Sequence, residues 1–370
     1  MRKNCGSVCA VFCSRDERAQ REVWVVRSEI RHYQAILCPE GVPSFLLEYA
    51  ATPAMGRLAG VGLFCGTDYS RVYRHRYFYS RLDHSIGVAL IVWHFTRDRK
   101  QALAGLFHDI AAPAFSHCVD FMAGDALTQT YTEARTGRCI RESVELMALL
   151  ARDGIDPVEV EDYALYPVAD NESPRLSADR LEYSLSTVLV AHGAWGLDEI
   201  RAMYESLAVG RGEDGRDELA FRDLSRAEAF VEGVCLYGRE FQRNRNKLSL
   251  MYVAEILRAC VRQGVFTEDA LYRLTEAEVI GRIRQAGPEI RSMWQVYEKL
   301  ENVEGSTEPE TECYCARVDA KRRYIDPLVG AKRVSAVSAG ARKTMADLLA
   351  FADLPYGLIR AAAPVESGRV

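Results

Sequence analysis

The sequence predicts a mostly α fold: a helical bundle with a small β hairpin at its N-terminus and a minor α+β lobe at its C-terminus. Three observations carry that expectation. From Pro43 to about Leu300 the apolar residues recur at helical spacing. Helix-start signals stand at Asp156-Pro157-Val158-Glu159, Ser225-Arg-Ala-Glu228 and Thr275-Glu-Ala-Glu278, where a capping oxygen and an acid three residues later satisfy free backbone N–H groups. Polar breaks fall at Gly210-Arg-Gly-Glu-Asp-Gly215 and Glu304-Gly-Ser-Thr-Glu-Pro-Glu-Thr-Glu312, the best loop and boundary candidates. In chain order, a strand at Val8 to Cys13 and a second within the run Arg21 to Ile36, centred on Val23-Trp24-Val25-Val26, predict a hairpin in residues 1–42. Residues 43–303 form the helical domain. Residues 304–370 form the lobe, in which Tyr314 to Val318 alternates like a strand and a last helix runs from about Ala341 to Phe351.

A chain of 370 residues has room for one large domain with an appended lobe, or for two domains. Hydrophobic residues at 48% and charged residues at 27% are ordinary globular values, and no stretch reaches the roughly 18 apolar residues of a membrane span. A net charge of −5 argues against broad attraction to duplex nucleic acid and leaves small anionic ligands open. Eleven scattered cysteines with no secretory start fit a reducing cytoplasm. Cys5, Cys9 and Cys13 could share a helical face, but no fourth ligand follows at a recognisable spacing, so they and the pair Cys313 and Cys315 read as structural.

Chemistry is carried by a few histidines and acids. In Arg81-Leu-Asp-His84-Ser, His84 shares a helical face with Val88 and Ile91. The apolar run Ala102-Leu-Ala-Gly-Leu-Phe ends in the adjacent pair His108-Asp109. A carboxylate delivered into an apolar interior needs a compensating cation or hydrogen bonds, and a divalent metal satisfies both side chains at once. A fourth ligand comes from a distant helix: Asp179 stands at the capped start Ser177-Ala-Asp-Arg-Leu-Glu-Tyr183, with Asp170 as its competitor. Two imidazoles and two carboxylates suit manganese, iron, cobalt, nickel or zinc better than magnesium.

These residues resemble the HD phosphohydrolases, and within them the deoxynucleoside triphosphate triphosphohydrolase branch. The resemblance runs from about Leu46 to Tyr183, through Thr52-Pro-Ala-Met-Gly-Arg57-Leu58, Arg81-Leu-Asp-His84-Ser, Phe107-His108-Asp109-Ile with Phe115-Ser116-His117, and Asp179-Arg-Leu-Glu-Tyr183, with an echo at Ala320-Lys-Arg-Arg-Tyr-Ile-Asp-Pro-Leu328. It implies an HD-domain helical bundle, a metal held by His84, His108, Asp109 and Asp179, phosphate and sugar contacts at Arg81, Arg180 and Tyr183, and assembly from identical subunits. The sequence departs from the branch where a Gly-His-Gly motif should follow the HD pair. Ala111-Ala112-Pro113 stands there; Cys139 and Leu63 fall where a helper histidine and a sugar-reading glutamine are expected.

For the missing imidazole, the candidate acid–base groups are His117 with Asp120 and, in Thr130-Tyr-Thr-Glu133, Glu133. Basic residues gather at Arg71, Arg74, His75, Arg76 and Arg81, at Arg180, and at Lys321, Arg322 and Arg323, as a phosphate ester or polyphosphate requires. The expected function is metal-dependent hydrolysis of a nucleotide or related phosphate ester or anhydride. The alternative is a nucleotide-binding regulatory protein that keeps the metal site without turnover, and a purely structural metal site is a third reading.

Overall fold

The computed structural model describes residues 28–127 and 135–363. Val8 to Cys13, the run Val23 to Val26, Cys5, Cys9, Cys13 and Glu133 lie outside the described residues. Where the strand expected over Arg21 to Ile36 enters them, it is replaced by a helix, α1 (28–37). The reason is visible in burial: Ile30, Tyr33, Ile36 and Leu37 are buried at three- and four-residue spacing, a helical stripe that the preceding β-branched run obscures.

The centre of the fold is built from α2 (Ser44–Ala50), α3 (Arg81–Thr96) and α4 (Arg99–Phe107). Ser80 and Asp83 form a capping box at the start of α3, with Ser80 Oγ accepting from the Asp83 N–H and the Asp83 carboxylate accepting from the Ser80 N–H. Arg97, in the left-handed region at φ 55°, ends α3, and Asp98 caps α4 by accepting from the N–H groups of Lys100 and Gln101. So short a connection makes the two helices antiparallel neighbours. A Cβ on Gly105 would lie 3.3 and 3.4 Å from Val88 and Val92, so the glycine permits their close approach.

Beyond α5 (His117–Met122), the helix α6 (Ala178–Thr187) lies against α3, capped by Ser177 and burying Leu181 and Leu185. The long helices α7 (Leu224–Phe241) and α8 (Asn244–Arg262) follow, then α9 (Glu276–Gln285), α10 (Pro288–Glu298) and α11 (Ala339–Ala350), which packs on α7. Thr275 and Glu278 form the capping box their spacing predicts. Two other start signals are displaced. Asp156 caps only one 3-10 turn, and α7 begins at Leu224 because Asp223, not Ser225, supplies the cap, accepting from the Ser225 N–H at 2.8 Å.

The strands are β1 (Leu207–Arg211), β2 (Asp217–Phe221), β3 (Glu304–Ser306), β4 (Tyr314–Ala316), β5 (Leu328–Val329), β6 (Lys332–Arg333) and β7 (Tyr356–Ile359). One sheet has the order β1-β2-β5-β6, with β2 and β5 parallel and register Ala220 to Leu328; the other has the order β3-β7-β4, antiparallel throughout. The Gly210 to Gly215 break therefore forms most of a hairpin turn inside a stretch read as helical. Residues after 304 add strands to both sheets as well as α11. The fold is mostly α with a minor β part. No helix among the described residues is long and apolar enough to cross a membrane.

Buried apolar side chains form two clusters. One is centred on α1, α3, α4, α6 and α7, and the other on α5, α8, α9 and α10. The cavity described next opens along their border, taking Phe121 and Leu250 from the second and Tyr183 and Phe241 from the first.

Candidate metal centre

His84 projects from the first turn of α3, His108 and Asp109 follow the last turn of α4, and Asp179 sits in the first turn of α6. Their polar atoms converge. The two imidazole Nε2 atoms are 3.1 Å apart; Asp179 Oδ1 is 3.2 Å from His84 Nε2 and 3.7 Å from that of His108; Asp109 Oδ2 is 3.8 and 3.6 Å from the same two atoms. Donors bound at about 2.0–2.2 Å from one ion stand roughly 3.0–3.5 Å apart when adjacent. His84, His108 and Asp109 offer atoms all within 4.8 Å of one another, and Asp179 joins through the imidazoles.

The hydrogen bonds behind the imidazoles fit the same group. His84 Nδ1 meets the carboxylate of Glu182, and His108 Nδ1 donates to the Gly105 carbonyl at 2.7 Å. With both Nδ1–H groups committed, both Nε2 lone pairs face each other and two carboxylates, an arrangement of acceptors that a cation satisfies. Burial pulls the His84 imidazole down, but Glu182 and Asp179 outweigh it and push it up to about 10. Burial raises Asp109, yet Arg81 and the two histidines hold it well below the usual carboxylate range. The field at this point favours positive charge.

Glu182 was not legible as a site residue from sequence. It is fully buried, accepts from Tyr79 Oη at 2.6 Å, and occupies space that only a glycine leaves on α3: a Cβ at Gly87 would lie 2.7 Å from its side chain. Its position three residues after Asp179, on the same helical face, was the available signal.

Arg81 lies beside the cage. Its Nη1 donates to both oxygens of Asp109 at 2.7 and 2.6 Å, and its Nε donates to Ser116 Oγ at 2.6 Å. Ser116 in turn donates to the Gly62 carbonyl at 3.4 Å. Phe115 and Ser116 take φ of 64° and 48°, a left-handed pair without glycine that costs backbone energy. The Phe115 N–H donates to Glu276 Oε1 at 3.2 Å, which helps hold the turn. The turn leads directly into His117, whose Nδ1 donates to the fully buried Asp120 at 2.8 Å. Burial lowers the His117 imidazole despite that carboxylate.

Where Gly-His-Gly was expected, the backbone is stapled by Arg57. Its Nη2 donates to the Ile110 carbonyl at 3.1 Å and to that of Ala112 at 2.6 Å. Cys139, in the other helper position, is half-buried; burial raises its thiol and the Arg57 charge lowers it.

The cage opens into a cavity of about 210 Å³. Arg81, His84, His108, Asp109, His117, Asp179 and Tyr183 all line it, as does Leu63. Tyr163 stacks obliquely on His108 at 5.1 Å. At another wall His75 lies between Phe64, at 4.3 Å, and Tyr73, at 5.7 Å, which donates from its hydroxyl to Glu240. Burial lowers His75 to about 4. Lys321 and Arg323 line the cavity from the segment before β5, and the Arg323 guanidinium stands 5.9 Å from the Tyr183 ring.

Arg180 is not brought to the cavity. Its Nε donates to the Arg175 carbonyl, its Nη2 to Asn171, and its Nη1 pairs with Asp170 at 3.2 Å, so the guanidinium holds the loop before α6. Asp170 is thereby engaged with Arg180, while Asp179 reaches the imidazoles. Arg71 pairs with Glu301, Arg76 with Glu29, and Arg322 donates to the Phe351 carbonyl.

No protein-family model matches the chain. It is 25% identical over 251 residues, 67% of this chain and 70% of the other, to a protein of Cordyceps militaris named metal-dependent phosphohydrolase cns2. It is 26% identical over 257 residues, 68% of this chain and 74% of the other, to the uncharacterized protein YdhJ of Bacillus subtilis. Among solved structures it resembles in fold a hypothetical protein from Aquifex aeolicus, with a TM-score of 0.58 and 16% identity over 86% of this chain and 92% of that one. By sequence the chain is similar to a protein named as a metal-dependent phosphohydrolase, and its cavity holds a group of side chains that could bind a metal ion.

Proposed function

We propose that this protein is an HD-type metal-dependent phosphohydrolase that acts on a nucleotide or a related phosphate ester. The observation that carries the reading is the convergence of His84, His108, Asp109 and Asp179 at the edge of a cavity that also holds Arg81. The similarity to a protein named as a metal-dependent phosphohydrolase supports it. These four residues would hold a divalent ion such as manganese, iron, cobalt, nickel or zinc, which supplies Lewis acidity toward a phosphoryl oxygen and activation of water.

The protein's own groups do the rest. Arg81, oriented by Asp109 and Ser116, offsets charge on the phosphoryl oxygens. Asp120 takes the Nδ1–H of His117, which leaves Nε2 as the atom that accepts or returns a proton in the role the absent histidine would have filled. The aromatic side chains of Phe64, Tyr73 and Tyr183 in the lining suit a planar base, and this supports a nucleotide.

Purified protein should carry stoichiometric transition metal and release phosphate from a nucleotide panel. The variant carrying both His108→Ala and Asp109→Ala should lose both. Metal retained in that variant, measured by inductively coupled plasma mass spectrometry, would remove the basis of the assignment.

A further inference from the structure

The number and placement of cations around the cavity bear on how many phosphoryl groups a substrate can bring. Among the described residues, the arginine and lysine side chains that line it are Arg81, Lys321 and Arg323. Arg81 already spends Nη1 on Asp109 and Nε on Ser116. The other arginines that a polyphosphate grip would use face elsewhere: Arg180 is tied to Asn171, Arg175 and Asp170, and Arg322 to the Phe351 carbonyl. Glu240 adds a buried carboxylate to the lining, held by Tyr73 and Arg245.

We infer that the substrate is a phosphomonoester with a single phosphoryl group, a nucleoside monophosphate or a molecule of similar size, and not a nucleoside triphosphate. This rests on the phosphohydrolase reading above and narrows it. In the reaction a water oxygen bonds to phosphorus as the phosphorus–oxygen bond to the leaving group breaks. The water gives up a proton and the leaving oxygen takes one, so the products are an alcohol and orthophosphate, with no other reactant consumed. A dianionic monoester matches the few arginine and lysine side chains present, whereas the added negative charge of a triphosphate would have fewer cations to meet it.

The test uses the full chain loaded separately with manganese, cobalt, iron, nickel and zinc. Adenosine 5′-monophosphate, adenosine 5′-triphosphate and para-nitrophenyl phosphate are the probes, with products followed by phosphorus NMR. The expected result is orthophosphate from the monoesters, with kcat/KM for the monophosphate at least about tenfold above that for any cleavage of the triphosphate. Triphosphate cleavage at equal or greater efficiency, whether it yields tripolyphosphate, pyrophosphate or orthophosphate, overturns the inference and leaves the phosphohydrolase reading intact. No product from any probe with any of the metals overturns both.

Discussion

Glu182 shows how a residue outside the proposed metal cage can govern it. Its carboxylate meets His84 Nδ1, so the imidazole presents Nε2 toward His108 and the two aspartates, and the room it occupies exists because position 87 is glycine. Glu182→Gln keeps the shape but removes the charge behind the imidazole, and it should weaken metal binding by about 10- to 100-fold, as supporting carboxylates generally do. Competition with a chelator of known affinity measures this, and an affinity equal to that of the parent protein would contradict the role. Gly87→Ala should act in the same direction by displacing the carboxylate. At this scale the sequence makes the ligand types legible, because His108-Asp109 at the end of an apolar helix demands compensation. It leaves Arg180 looking like a phosphate contact. Only the fold of the loop before α6 turns that guanidinium toward Asn171, Arg175 and Asp170.

Among the elements, α7 illustrates how packing sets identity at a single position. Gly233 faces Trp195, which is buried and stacks on Phe230 at 6.2 Å; a Cβ at Gly233 would fall 2.1 Å from the indole. Gly233→Ala should destabilise the protein by about 1–3 kcal/mol, the range for overpacking a filled site. Urea denaturation reads this as a lower midpoint, and metal content per folded molecule should not change, because the contact is remote from the cage. An undiminished midpoint would show that the indole yields freely. Local signals were readable where the cap and the apolar stripe agree, as at Thr275 and Ser177. They misled where a stronger neighbouring cap competed, at Asp223, and where pairing with a distant segment decided the outcome. Leu207 to Phe221 forms a hairpin whose second strand pairs with Leu328 and Val329 more than a hundred residues later, and no local pattern carries that information.

At the scale of the whole molecule, a half-buried acid, Asp68, stands beside the fully buried Glu276. Burial, and then Glu276, push Asp68 up to about 7; burial pushes Glu276 up to about 7. Asp68 Oδ2 and Glu276 Oε2 both lie close to where a Cβ on Gly62 would sit, and neither has a hydrogen-bond partner among the described residues. In the unfolded chain both groups ionise near their ordinary values of about 4. Between about pH 4 and 7 the folded protein therefore holds protons that the unfolded chain has lost, so this pair makes stability fall as pH rises through that window, by up to about 1.4 kcal/mol per pH unit for each proton held. The full cost is present above about pH 7. Glu276→Gln should flatten this part of the curve, measured by denaturation across pH 5 to 8; a variant with an unchanged slope would place the dependence elsewhere. The sequence by itself determined the helical class and singled out His84, His108, Asp109 and Asp179 as candidate donors, because periodicity and the cost of burying a charge are local facts. Tertiary structure alone decided that these donors converge, that Glu182 stands behind His84, that Arg57 ties down the backbone at Ile110 and Ala112, and that few arginines and lysines face the cavity. Each of those depends on which distant segments pack together, and burial and pairing across the fold fix that.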